Sequence, residues 1–446
     1  MTTTMTASDT DRFVDVFEAF EQALPASHPE SLRNKRRQAI ERFSDLGFPT
    51  LRQEEWRFTN VGPIARTPFS LDVAVDGVTA DSIRPFSYEG TAQLTLVNGR
   101  FVPQLSDLDD LPEGMVVCSL AEALEKHPEK VEPHLGRLAS FENHAFVALN
   151  TAFYGDGVLI WVPRNQVVEK PINLVLVGSP SAEPVAFFPR NLIVGGESSQ
   201  VTVVEQYVTV GEGAYLTAPV TEIVAEDNAV VDHYKLQRES TDAFHMATFQ
   251  LQLGRASNVS SHSISWGGGL VRNDVNAVLD GEGGEATLNG LYMVEGTQLV
   301  DNHMRVDHVA AHCDSHELYK GILEGKSRAV FNGRIYVHPG AQKTDAKQTN
   351  RNLLISPDAL CNSNPQLEIF ADDVKCTHGS TVGQLDETAI FYLRSRGIGA
   401  DAARSLLTYA FAADIVERIK VAAVRQDLEE FLFRRLPKGD IVRQAV

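Results

Sequence analysis

Apolar residues at the start of the chain recur at helical spacing. Phe13, Phe17, Phe20 and Leu24 share one face, Pro25 ends the pattern, and a second amphipathic stretch runs over 31–47, closing at Gly47. This predicts a helical N-terminal domain over 1–75. The segment EEWRFTN (54–60) loses the helical period. From about residue 75 the chain turns to Val, Ile, Thr and Leu punctuated by Gly, Asn and Asp, and it keeps that character to about residue 383 with one helical interruption near 118–132. No amphipathic helices of crossover length separate these strands, which argues against a doubly wound nucleotide fold or a (βα) barrel and leaves a sandwich, a barrel or a solenoid.

An internal recurrence favours the solenoid. Polar turns lead into a β-branched residue in ESSQVTV, AEDNAVVD, RASNVSS and GGEATLN, aligning Val201, Val230, Val259 and Thr287 at spacings of 29, 29 and 28. KSRAVFN, at Val330, follows 43 residues later, about one and a half periods. Such a period marks stacked repeats, so these residues are expected to form one inward column. Past Asp386 the pattern is helical again: DETAIFYLRSRG, then one long Ala-rich stretch whose Leu406, Leu407, Phe411, Ile415 and Ile419 make a broad apolar face. That face must pack on the body or on a partner. In so acidic a chain it suggests a docking module, 384–446, separable from the β region.

Charge narrows the function. Lys and Arg number 40 against 59 Asp and Glu, a net 40 − 59 = −19, which disfavours nucleic acid and anionic membrane as partners. The opening MTTTMTASDTD lacks the basic and apolar regions of a signal peptide, and no apolar run reaches membrane-spanning length, so a cytoplasmic protein is expected. Four cysteines (Cys118, Cys313, Cys361, Cys376), none in a CxxC, fit reduced thiols.

GILEGKS (321–327) looks like a phosphate loop but has three residues between its glycines instead of four, one of them Glu324, and no helix after it; a polar turn is expected, and no nucleotide binding through Lys326. GEGGE (281–285) likewise reads as a loop. His303, His308, His312, Cys313 and His316 form the densest cluster of ligand types, open to two readings: polar rungs and solvent faces, or the site of a metal-dependent enzyme. A carbohydrate-active β-helix enzyme is a third functional class and would need two carboxylates paired on one face. In ADDVKCTHGSTVG, a strand would put Cys376 and His378 on one face. Two donors cannot complete a tetrahedral site, so a metal there would borrow ligands from elsewhere.

GRIYVHPGAQKTDAKQTNRNLLIS (333–356) and CTHGSTVGQLDETAIFYLRSRGI (376–398) closely resemble the shared signature of the SufB/SufD family of iron–sulfur assembly proteins, and EEWRFTN resembles an N-terminal feature of its SufD branch. The CTHG form and the chain length also side with that branch. The resemblance implies a mainly β fold, a right-handed parallel β-helix core (76–383) flanked by N-terminal and C-terminal helical domains. It implies a non-catalytic scaffold that pairs with a SufB-type paralogue and docks a SufC-type ABC ATPase through the helices after Asp386, with room for a homodimer of the isolated chain. By position, His378 matches a histidine important for cluster formation at the interface with the paralogue, with Cys376 beside it. No tightly bound cofactor is implied, only transient iron or nascent cluster at a site His378 shares with the partner chain.

Overall fold

The computed structural model describes residues 7–24, 29–180 and 183–445. Helices Ala7–Ala23 and Glu30–Leu46 form as the apolar spacing predicts, the second ending at Gly47 with φ +63°; the stop expected at Pro25 lies outside the described residues. Phe13, Phe17, Ile40 and Phe43 pack against Phe146 and Phe153 of helix Ala145–Phe153. That helix was not expected. Every one of its nine residues is buried, so AFVALNTAF has no polar face to give it a helical period. Arg36 anchors the pair: fully buried, it lies 3.6 Å over the Tyr154 ring and donates to the carbonyls of Ala152 and Tyr154.

The body is a parallel β-solenoid. Strands from Arg190–Gly195 to Lys375–Gly383 go alternately to two facing sheets, apart from the short Tyr215–Thr217, so each turn contributes one strand to each sheet. Pairing within the sheets is parallel except at the N-terminal end, where Ala92–Val97 meets Arg100–Phe101 and Val116–Ser119 meets Gly157–Val162 antiparallel. The expected column exists with two corrections. Register aligns Val201, Val231, Val259, Ala286, Ser315, Ala346 and Cys376, all but half-buried Cys376 fully buried. Val230 and Thr287 are each one residue off and half-buried on the other face. Val330 belongs to the facing sheet, paired with Asp301 and Asn362, as half a turn requires.

GILEGKS is the end of strand Asp314–Leu323 and the turn that precedes strand Arg328–Val337. Gly321 sits inside the strand because a Cβ there would fall 2.1 Å from the Tyr292 ring, while Gly325 takes φ +67° in the turn. GEGGE likewise spans the turn before strand Glu285–Val294 and that strand's first residue.

The C-terminal stretch is three helices after Glu387–Ser395, not one: Ala400–Val416, Ala422–Arg435 and Gly439–Ala445. The break falls where Ile419 is buried, the Lys420 N–H donates to the Tyr234 hydroxyl and the Lys420 ammonium meets Asp232 at 2.9 Å. Ala412, Ile415, Val416, Leu428 and Leu432 cover Tyr234, Leu236, Ile264, Trp266, Leu291 and Ile322 on the outside of one sheet. The apolar face therefore packs on the body.

Candidate functional site

Strand Lys375–Gly383 is last in its sheet, and Leu360–Ile369 is last in the other. Together they form a terminal rung whose outer edge has no strand beside it among the described residues. A solenoid end left so leaves unpaired N–H and C=O groups ready for another chain. Its side chains are open to match: Leu360, Ile369, Phe370 and Val382 are large apolar residues exposed there.

Cys376 and His378 sit on this rung, two residues apart on one face as alternation requires. Their environments differ. Cys376 is half-buried beside Val337, Ala346, Leu367 and Val374, and burial pushes its thiol above the ordinary range, so at neutral pH it is a small packed thiol. His378 is exposed, and its imidazole has no hydrogen-bond partner among the described residues.

The other histidines are dispersed. His303 faces outward with Nε2 3.0 Å from Asp301; His308 points into the lumen, 3.0 Å from the Ser315 hydroxyl; His312 is in a turn at φ +58°; His316 is exposed on the opposite sheet. Cys313 is buried, its thiol donating to the Gly281 carbonyl. Among the described residues no three His, Cys, Asp or Glu side chains converge to hold a metal ion. These residues divide between polar rungs and surface, and the metal-enzyme reading has no geometry here.

Outer-face carboxylates do come close. Asp274 and Asp301 both pair with buried Arg272, at 2.8 Å each. Burial would raise the Asp274 carboxyl, but Arg272 and His144 hold it well below the usual range, so it cannot act as an acid near neutral pH. The same cluster explains EEWRFTN: Trp56 stacks on the Arg272 guanidinium at 3.8 Å, the Glu55 carbonyl accepts from Arg272 at 2.7 Å, and the Thr59 hydroxyl donates to Asp301. The motif clasps the N-terminal region to the solenoid wall.

What the spacing did not reveal is the polar lumen. Glu205 accepts from the hydroxyls of Tyr207 and Thr221 and lies 2.9 Å from His233 Nε2, and the Lys235 ammonium donates to Asn273, all buried. Nearer the open end, Glu317 accepts from the Gln348 amide inside the solenoid. In DAKQTNRN both alternating sets are polar, so no hydrophobic signal marks Ala346, Gln348, Asn350 and Asn352 as the inward set.

Burial pushes the Glu317 carboxyl up to about 7, with hydrogen bonds from Gln348 and Ser315 opposing. Tyr319 on its own strand and His308, behind Ser315, are the other titratable neighbours. An acid whose folded pKa is raised holds its proton better folded than unfolded. Its contribution is complete below the unfolded value near 4.5 and is lost as pH rises through about 7. Glu317→Gln removes this titration. Its stability relative to the parent should therefore improve from pH 4.5 to pH 8 by up to about 3 kcal/mol, measured as denaturant midpoints at both pH values; an unchanged difference would mean that Glu317 is not the titrating group.

Comparison with known proteins agrees with this architecture. Residues 177–411 match the SUF system FeS cluster assembly SufBD core domain, and residues 7–174 the SufBD protein N-terminal region. A SufBD-family iron–sulfur cluster assembly protein of Synechocystis is 33% identical over 425 residues, covering 92% of each chain. The iron–sulfur cluster assembly protein SufD of Escherichia coli is 32% identical over 90% of this chain and 92% of its own, and SufD of Bacillus subtilis 27% over 92% and 94%. A parallel solenoid flanked by helices and whole-length similarity to these proteins lead to one assignment: the chain belongs to the SufBD family of iron–sulfur cluster assembly proteins, as a SufD-type member.

Proposed function

We propose that this chain is a non-catalytic scaffold of the cytoplasmic SUF assembly complex, pairing through its terminal rung with a SufB-type paralogue. The observation that carries this reading is the open rung itself: an edge without a partner strand, flanked by exposed Leu360, Phe370 and Val382, with His378 unpartnered upon it. Iron or nascent cluster is the cargo. An imidazole binds iron without the near-permanence of several thiolates, and the paralogue would supply the remaining donors. No resident cofactor is required by this role, and the open rung also gives the isolated chain a surface for homodimerisation.

A SufC-type ATPase would dock on helix Glu387–Ser395, where Phe391 and Tyr392 are 70% and 56% exposed and Ile390 alone is buried. Exposed paired aromatics on a short helix suit a partner's apolar pocket.

His378→Ala should leave the yield of the three-subunit complex unchanged while lowering its iron and acid-labile sulfide by about tenfold, the scale on which even outer-shell partners of a metal act. Cys376→Ser should do less, because that thiol is packed. Normal cluster content in His378→Ala, together with full complementation of a strain dependent on this pathway, would remove the rim from the assembly site.

A further inference from the structure

Gln348 is the inward residue one rung inside His378, and the two are register partners in adjacent parallel strands. Only 1% of Gln348 is exposed. Its amide nitrogen donates to a Glu317 carboxylate oxygen, and its own carbonyl oxygen is buried with no hydrogen-bond partner among the described residues. The side chain reaches the opposite wall. A Cβ on Gly333 in the facing sheet would lie 2.4 Å from the Gln348 nitrogen and 2.6 Å from its carbonyl oxygen. Gly333 thus leaves the room that Gln348 occupies, and both belong to the motif GRIYVHPGAQKTDAKQ.

Glu317 fixes the amide's orientation. One Glu317 carboxyl oxygen accepts from the Gln348 –NH2, so the amide's carbonyl is left to seek a donor elsewhere. Leaving a buried carbonyl unpaired is unfavourable, and such orphans call for a partner. The tyrosine hydroxyl of Tyr292 and the amides of Asn350 and Asn352 already bond among themselves. The next residue of the column toward the open end is His378.

We propose that Gln348 is the positioning residue for His378: in the assembled complex its carbonyl oxygen accepts the N–H of one imidazole nitrogen. That bond fixes the tautomer and turns the other nitrogen's lone pair toward the rim, where iron is received. This rests on the reading of His378 given above. Glu317 and Gly333 act one step further back, one by orienting the amide and the other by leaving room for it.

The test titrates Fe(II) anaerobically into the purified complex of this chain with its partner subunits, comparing parent, His378→Ala, Gln348→Leu, Gln348→Glu and His378→Ala/Gln348→Leu. His378→Ala defines the binding that belongs to this site. Gln348→Leu should weaken that binding by about tenfold or more. Gln348→Glu keeps an oxygen acceptor and should stay within about threefold of the parent, a rescue that a merely space-filling role would not produce. In the His378→Ala background, Gln348→Leu should add nothing. Where Gln348→Leu does not assemble, Gln348→Met, with the unbranched stem, is measured with the same two outcomes. Loss of the site in His378→Ala alongside parent-like affinity in Gln348→Leu overturns the inference and leaves the role of His378 standing. Unchanged binding in His378→Ala overturns the role of His378 itself.

Discussion

A chain ended after Arg396 is expected to lose its fold and not only a docking surface. The helices it lacks cover Tyr234, Leu236, Ile264, Trp266, Leu291, Met293 and Ile322, with Trp266 stacked on Phe431 at 4.0 Å between ring centroids. Burying a large apolar side chain contributes roughly 1.5–3 kcal/mol, so uncovering seven removes on the order of 10 kcal/mol or more, comparable with the whole stability of an ordinary domain. Polar anchors go as well. Lys320 loses Asp414 at 2.6 Å and the Phe411 carbonyl at 3.0 Å, and Arg238 and Tyr88 lose Asp427 at 2.6 and 2.7 Å. The truncated protein should be insoluble or bind a hydrophobic dye and show no cooperative melting in circular dichroism. The double substitution Phe391→Ser and Tyr392→Ser is the contrast: it should leave melting unchanged and reduce capture of the ATPase. A soluble truncation with the parent's cooperative transition would show that the helices are a separable module after all.

The solenoid was legible in the sequence because its period survives in the turns, while the inward column was legible only in part. Aligning each repeat on its first β-branched residue picks Val201 and Val259 correctly, because in those strands that residue is the second. Strand Val230–Arg238 opens on a β-branched residue, which displaces the choice from Val231, and strand Glu285–Val294 carries small Ala286 at the inward position, so the choice slips to Thr287. A lumen accepts a small residue as readily as a branched one when the neighbouring rungs fill the space. Turn chemistry locates the strands; it does not say which face is inside.

The candidate site shows the same limit. Cys376 and His378 were legible as a pair because strand alternation is local, and their differing exposure was not, because it depends on Val337, Leu367 and the absence of a further rung. Glu317 and Gln348 gave no signal, since a buried polar residue on a strand polar on both faces has the pattern of a solvated one. The Ala-rich C-terminal stretch was legible as an apolar face that packs on the body or on a partner, without a signal for which. Its apolar face is real, but the sheet that covers it lies some 150 residues earlier in the chain, and only tertiary contact reveals it.

Replacing Arg272 by Met should destabilise the protein by about 3–5 kcal/mol, the cost of leaving buried charges without their partner. Arg272 is 2% exposed, holds Asp274 and Asp301 together, accepts the Trp56 ring on its face and donates to the Glu55 carbonyl. Met matches much of its length and apolar stem, so lost volume is a small part of the effect. What remains is two carboxylates, one shared with His144 at 3.0 Å and one with His303 at 3.0 Å, in a wall closed by Trp56. The repulsion has a specific remedy. Adding Asp274→Asn and Asp301→Asn removes both charges and should recover at least half of the lost stability, although each single Asn in the parent is itself destabilising because it leaves Arg272 under-paired. The effect should also be regional. Losing the clasp frees the segment at 54–60 first, so amide exchange should rise there and in the N-terminal helices before the terminal rung responds. Denaturant unfolding of the four variants, with hydrogen exchange followed at residues 54–60, gives both results. A Met variant within about 1 kcal/mol of the parent, or a triple variant no better than Arg272→Met alone, would show that EEWRFTN is held by the packing of Trp56 on Phe146 and not by the ionic cluster beneath it.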